Sequence, residues 1–276
     1  MNAAEDQAKR WNSTAGRAWV DAQALLDRLF RPLETLLVDA VTAQSPRDVL
    51  DVGCGTGGTT VAMARRMDAK ARCTGVDISE PMIEAARARA SREKTPATFI
   101  VADAQTYDFE PGRFDTICSR FGVMFFADPV AAFANLRGAA RDEGRLLFLA
   151  WRGAADNPFM TTAERAAAPL LPNLPERKPD APGQFAFAND SRVRTILEAS
   201  GWIDVDIRPL DVACTMTESD LVAYVSRLGP VGTALQEADE VTRARVTAAV
   251  RPAFDSYIHD GEVRFTAACW MVSAHN

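Results

Sequence analysis

The hydrophobic positions change their period along the chain, and each change marks an element. Leu25, Leu26, Leu29, Leu33, Leu36, Leu37 and Val41 recur at three- and four-residue intervals. That spacing predicts helix through the first forty residues, with Pro32 at a kink or junction and Ser45-Pro46 as the close. From Val49 the pattern becomes short apolar runs without alternation: 49–52, 72–77, 98–101, 114–119 and 145–151. Such runs are strands covered on both faces. Helical stretches separate them at 59–67, at 82–91 with Ser79 as cap and Pro81 in the first turn, and at 129–140. Strand and helix in alternation imply right-handed crossovers and a parallel sheet, so the fold class is α/β.

After Trp151 the rhythm breaks. Prolines 169, 172, 175, 179 and 182 crowd one stretch, which predicts a long irregular insertion of the kind used for lids and binding loops. A helix at 191–200 ends at Gly201, a strand begins near 205–207, and helices at 218–227 and 234–250 form a cap. Residues 263–273 return to the sheet as a last strand. The chain is read as one domain: 1–44 an N-terminal helical lid, 45–151 the core, 152–262 insertion and cap, 263–276 the last strand.

Composition narrows the function. With 47% hydrophobic residues, the 276-residue chain has ample material for a core. The net charge of −6 argues against a grip on nucleic acid, which needs a dense basic patch. No run approaches the ~20 apolar residues that span a bilayer, and Met1–Arg10 lacks an apolar signal region, so a cytoplasmic protein without a membrane partner is expected. Five scattered cysteines without a Cys-x-x-Cys pair fit reduced thiols, and two histidines supply no metal cluster, so no metal is expected. The sequence leaves the oligomeric state open.

The segment Asp51-Val-Gly53-Cys54-Gly55-Thr-Gly57-Gly58 carries the chemistry. A strand that breaks into closely spaced glycines lets backbone N–H groups and a helix N-terminus approach a ligand; alone, it is also a tight turn with no ligand. Asp77 ends the next strand 24 positions after Gly53, near the spacing used to bind ribose hydroxyls. Asp51 is a carboxylate inside a buried strand, costly unless it serves a partner. The glycine spacing differs from the dinucleotide fingerprint, no Gly-Lys-Ser/Thr follows, and no catalytic His or Tyr-x-x-x-Lys is present, which disfavours a P-loop and a nicotinamide dehydrogenase.

Taken in order, Asp51–Gly57, Val76-Asp77-Ile78-Ser79, Val101-Ala-Asp103-Ala104, Phe114-Asp115 to Phe121 and Gly144–Leu147 resemble the five motifs of the class I S-adenosylmethionine-dependent methyltransferases. The resemblance spans residues 45–151 and is nearest the small-molecule branch that includes ubiquinone-biosynthesis-like enzymes. It implies a Rossmann-like, seven-stranded, mostly parallel sheet with helices on both faces, plus N-terminal helices and a C-terminal helical cap. It implies S-adenosylmethionine as cofactor and S-adenosylhomocysteine as product. The turn at Gly53, Cys54, Gly55 and Gly57 would face the methionine part, with Asp51 towards its ammonium. Asp77 would accept from both ribose hydroxyls, Ile78 and Met82 would pack on adenine, and Asp103 with the Ala104 N–H would read its edge. Ser119 would close the cofactor side. Met82 as core and Asp103 as a loop cap remain open as alternatives.

The acceptor side is expected beyond the fourth strand, from Phe121, Met124 and Trp151, with Arg120 either pairing with an acceptor anion or lying in a surface ion pair. Ser119-Arg-Phe-Gly stands where amino-group methylases carry Asn/Asp-Pro-Pro-Tyr, which disfavours such targets. No histidine stands near a motif. His259 as a base or a surface residue, and Tyr107, Tyr224 and Tyr257, stay unassigned, so no general base is named. Trp19 and Gln23 share a helix face that either shields the sulfonium or simply packs. The expected reaction is methyl transfer to a small, partly apolar acceptor. The alternatives are a protein or RNA acceptor, or a non-catalytic module that binds the cofactor.

Overall fold

The sheet forms where apolar runs are too short and too unbroken to face water. In the computed structural model, residues 3–178 and 180–276 are described; Pro179 of the proline-rich loop and Met1 and Asn2 of the leading segment lie outside the described residues. Strands β1 (Asp48–Val52), β2 (Arg72–Asp77), β3 (Thr98–Val101), β4 (Phe114–Arg120) and β5 (Ala140–Trp151) pair in parallel in the order β3-β2-β1-β4-β5. All five residues of β1 are buried, which explains the lack of alternation in its sequence.

Four helices precede the sheet: α1 (Ala3–Trp11), α2 (Thr14–Asp21), α3 (Gln23–Leu29) and α4 (Arg31–Thr42). Pro32 sits in the first turn of α4, where its missing N–H costs nothing, so it marks the junction between α3 and α4. Leu33 and Leu37 are fully buried, and α4 packs on β4 and β5. Helices α5 (Gly58–Arg66), α6 (Glu80–Glu93) and α7 (Pro129–Ala139) are the crossovers.

Beyond β5 the chain forms α8 (Pro158–Ala167) and α9 (Asp190–Ala199), then the edge strand β6 (Ile203–Thr217). Helices α10 (Glu218–Arg227), α11 (Gly229–Glu237) and α12 (Glu240–Val250) lead to the two-residue strand β7 (Ile258–His259) and to β8 (Glu262–His275). Strand β8 runs antiparallel between β5 and β6, so the expected seven strands are present and β7 adds a short eighth. The single helix expected over 234–250 is two, because the Asp239 carboxylate accepts from the Thr242 N–H at 2.7 Å and starts α12 afresh. No described helix is long and apolar enough to cross a membrane.

Candidate active site

The strand order reverses between β1 and β4, and a crevice opens at their carboxyl ends, where open α/β sheets bind ligands. Two turns meet there backbone to backbone. Gly53 has φ +65°, and a Cβ on it would stand 2.6 Å from the Gly122 Cα. A Cβ on Gly122 would in turn stand 2.5 Å from the Val52 carbonyl oxygen. Gly53 and Cys54 donate their N–H groups to the Val76 carbonyl, which binds the turn to β2. Gly55 has φ +55° and faces open space, with only the Met82 sulfur within 4 Å, at 3.7 Å, of where its Cβ would be. Gly57 is different. Its Cβ would collide with Ala86 and Phe99, so it serves the packing of α5 and lies off the cavity wall.

Asp51 is 1% exposed and accepts a 2.6 Å hydrogen bond from the Thr60 hydroxyl. Burial lifts its carboxyl to about 7, against the Thr60 hydrogen bond and the Arg120 charge, which favour the ionised form. Asp77 accepts from the Gly55 N–H at 2.8 Å and the Ser79 N–H at 2.9 Å. Burial raises its pKa, while these backbone donors hold it down. Asp77 thus ties the glycine turn to the start of α6 as well as facing the cavity. Ile78, Met82, Asp103 and Ala104 line the same cavity. The Asp103 carboxylate accepts from the Gln105 N–H at 2.9 Å, so it caps its loop and faces the cavity at once. Burial pushes the Cys54 thiol well up, which leaves it a neutral wall.

Beyond β4, Ser119 is fully buried and its hydroxyl accepts from the Gly122 N–H at 3.0 Å. It shapes the turn from behind and does not reach the cavity. Phe121 has φ +65°, an uncommon conformation for a bulky residue and one that costs ~1–2 kcal/mol. Its ring stacks on Trp151 with centroids 4.5 Å apart and planes 12° from parallel, and Phe30 meets both edge-on. Met124 lines the cavity below this cage, its sulfur accepting from the Trp151 N–H. Arg120 donates from Nε to the Thr59 hydroxyl at 3.0 Å, and its charge acts on Asp51 and Glu34. It belongs to a polar network under the glycine turn, lines the cavity and has no surface ion pair among the described residues.

The N-terminal helices close one side. Ser79 donates its hydroxyl to the Trp11 carbonyl at 2.7 Å, and Asn12 bridges Ile78 and Glu80 by donating to one and accepting from the other. The Trp11 ring meets Trp19 and Phe125 edge-on, and all three line the cavity. Gln23 instead accepts from Arg89. The whole cavity is about 730 Å³, towards the upper end for ligand sites, and takes in both the glycine turn and the aromatic cage.

Sequence reasoning missed several wall residues: Arg10, Phe30, Met160, Arg177 and Arg227. They sit on α1, α3–α4, α8, the proline-rich loop and α10, and no local motif marks them. Tyr224, unassigned from sequence, also lines the cavity and donates to the Met160 sulfur at 3.4 Å. Among the described residues no histidine lines it: His259 is exposed on β7, and His275 lies 3.8 Å from Asp204 at the end of β8. Tyr107 and Tyr257 meet Phe109 and Phe159 edge-on and do not line the cavity.

Known proteins are similar to this chain in sequence and in fold. The sequence profile of a methyltransferase domain matches residues 49–144. Aklanonic acid methyltransferase DauC of Streptomyces sp. (strain C5) is 30% identical over 185 residues, which is 63% of this chain and 84% of that protein. Demethylmenaquinone methyltransferase of Thermus thermophilus is 32% identical over 112 residues, 41% of this chain and half of that protein. The fold matches the crystal structure of the Bacillus YcgJ protein with a TM-score of 0.56 at 16% identity, over 88% of this chain and 97% of that one. Motif order, switch-point cavity and these relatives converge: the chain belongs to the class I S-adenosylmethionine-dependent methyltransferases.

Proposed function

We propose that the protein moves the methyl group of S-adenosylmethionine to a small acceptor with a largely apolar, ring-bearing body. The observation that carries this reading is the single cavity in which the glycine turn and Asp77 share walls with the Phe30–Phe121–Trp151 cage. The names of the relatives, which concern small metabolites, agree with it. The residues present fit the cofactor: Gly55 leaves a cradle that a Cβ would enter, Asp77 and Asp103 offer carboxylates at its far side, and Asp51 awaits a cation.

When bound, S-adenosylmethionine supplies an electrophilic methyl group whose leaving group is a neutral thioether. Asp77 would hold the ribose, Ile78 and Met82 the adenine faces, Asp103 and Ala104 its edge, and Asp51 the ammonium. Gly53 and Gly122 let the backbone close in under the reacting centre, and Ser119 holds that turn in place. Phe121 and Trp151 orient the acceptor and keep water out, so catalysis proceeds by placement and desolvation. No side chain is assigned as general base; among the described residues no histidine lines the cavity. The N-terminal helices act as a lid, and the enzyme works in the cytoplasm on free metabolites and without nucleic acid.

Incubation with S-adenosylmethionine and a panel of hydroxylated and enolic polycyclic compounds, with S-adenosylhomocysteine release as readout, tests this reading. Release that depends on the acceptor is expected. Release only with protein or RNA substrates would overturn it.

A further inference from the structure

The outer part of the cavity carries the opposite charge to the chain as a whole. Against a net charge of −6, the rim brings together Arg10 from α1, Arg177 and Lys178 from the proline-rich loop, and Arg227 from the end of α10. Glu176 is the acid in this stretch of rim. Most arginines of the protein sit in ion pairs, and Arg177 is one of them, holding both Glu164 carboxylate oxygens through Nε and Nη2. Arg227 meets no carboxylate or hydrogen-bond acceptor among the described residues.

These cations share the wall of one cavity. The Arg10 guanidinium lies over the Trp11 ring at 5.5 Å, and Arg177 lies over the Phe185 ring at 4.8 Å, so each is held on an aromatic wall of the cavity. Arg10 is exposed as a residue, yet its head is partly desolvated there and feels the Arg177 charge, and both effects lower its pKa. Arg177 also acts on the buried Tyr224 hydroxyl, and Tyr224 and Arg227 are three residues apart on one face of α10. Like charges gathered on a desolvating wall are unfavourable by themselves, and an anion between them removes that cost. The same cations are absent from the glycine turn, where carboxylates predominate and the cofactor's ammonium belongs.

We propose that the methyl acceptor is an organic anion, an aromatic or polycyclic acid whose carboxylate is bound at the rim by Arg10, Arg177 and Arg227 while its apolar body enters the Phe121–Trp151 cage. The inference rests on the methyltransferase reading and adds the acceptor's charge to it. The bound carboxylate is a recognition handle: pinned by guanidinium groups, its oxygens are poor nucleophiles, and the methylated atom lies on the ring body. This places anion recognition on α1, the proline-rich loop and α10, whereas Arg120, which lines the same cavity, is hydrogen-bonded to Thr59 beneath the glycine turn.

Matched probes test it. Benzoate, naphthoate and pyrenecarboxylate are each compared with their carboxamide by calorimetry on the full chain saturated with S-adenosylhomocysteine. The best-fitting carboxylate should bind about tenfold or more tighter than its amide. Arg227→Gln and Arg10→Gln should each erase most of that preference while amide and S-adenosylhomocysteine binding stay unchanged, and Arg227→Lys should restore part of it. Equal binding within every pair, no binding of any probe, or a preference that survives the Arg10→Gln/Arg227→Gln double variant would overturn the proposal. Failure of wild-type protein to bind S-adenosylhomocysteine would overturn the methyltransferase reading beneath it; that product binding without a carboxylate preference overturns this inference alone.

Discussion

Two glycines of the same turn should respond differently to the same added methyl group. Gly53→Ala places a Cβ 2.6 Å from the Gly122 Cα, and backbone on both sides leaves nothing flexible to move away. The left-handed backbone costs ~1–2 kcal/mol for alanine, and overpacking costs ~1–3 kcal/mol, so a loss of about 2–5 kcal/mol is expected. Gly55→Ala bears the same backbone penalty, but its Cβ meets only a thioether at 3.7 Å, so folding should lose ~1–2 kcal/mol. Its methyl group enters the cavity instead. Equilibrium urea unfolding and calorimetry with S-adenosylhomocysteine separate the two effects. Gly53→Ala should lose stability and affinity together, and Gly55→Ala chiefly affinity, by about tenfold to a hundredfold. A Gly53→Ala protein as stable as Gly55→Ala would refute the claim that the two turns touch at the switch point.

Further expectations follow from single groups. Burial raises Asp51 from 3.8 to about 7, so its contribution to stability is present below pH ~4 and fades as pH rises through about 7. Asp51→Asn should remove that slope in pH-dependent unfolding; and because a ligand cation favours the ionised form, wild-type affinity for S-adenosylhomocysteine should rise through the same window. Asn157 is fully buried, donates to the Ala268 carbonyl and accepts from the Ala268 N–H, both at 2.9 Å. Asn157→Ala strands the Ala268 N–H, while the Ala268 carbonyl keeps the Arg152 N–H at 3.0 Å, and should cost ~1–3 kcal/mol in urea unfolding. Gly16→Ala would put a Cβ 2.0 Å from the Trp11 carbonyl oxygen and 3.0 Å from the Ser79 hydroxyl. It should expose α1 to proteolysis and weaken S-adenosylhomocysteine binding, with the core unaffected. Gly138→Ala, exposed in α7 with nothing within 4 Å of its new Cβ, should stabilise by ~0.5–1 kcal/mol.

The core of the fold was legible because its inner strands are buried on both faces: β1 is buried throughout, and β2, buried from Cys73 to Val76, has the ends that its apolar run predicts. The edge strand β6 was not. It interleaves Asp204, Asp206, Arg208 and Asp211 with apolar residues and carries Pro209, which an edge tolerates and a central strand does not. Only its start, near 205–207, reads as strand until β8 is known to cover one side. Helix α8 was missed because it is short and follows no crossover rhythm, although the polar bonds of Asn157 fix its start on β8. Within the site, the residues that one turn of chain brings together were readable: the glycines, Asp77 and Asp103. Gly57 and Ser119 lie in those motifs yet face inward, since a motif gives position along the chain and not side-chain direction. The strain at Phe121 and the rim arginines depend on contacts between segments distant in the chain, Phe30 with Phe121 and Arg10 with Arg177 among them, and no local pattern encodes them.

The central claim is that the cavity beside the β1 turn holds the methyl donor through Asp77, the carboxylate that joins Gly55 to Ser79. Titration of the full chain with S-adenosylhomocysteine, beside an Asp77→Ala variant shown to be folded by circular dichroism, tests it most directly. One molecule should bind per wild-type chain, with affinity reduced at least about a hundredfold in the variant, as expected when charge-assisted hydrogen bonds are lost in a partly buried site. A folded wild-type chain that binds none, or a variant that binds as tightly, would contradict the account.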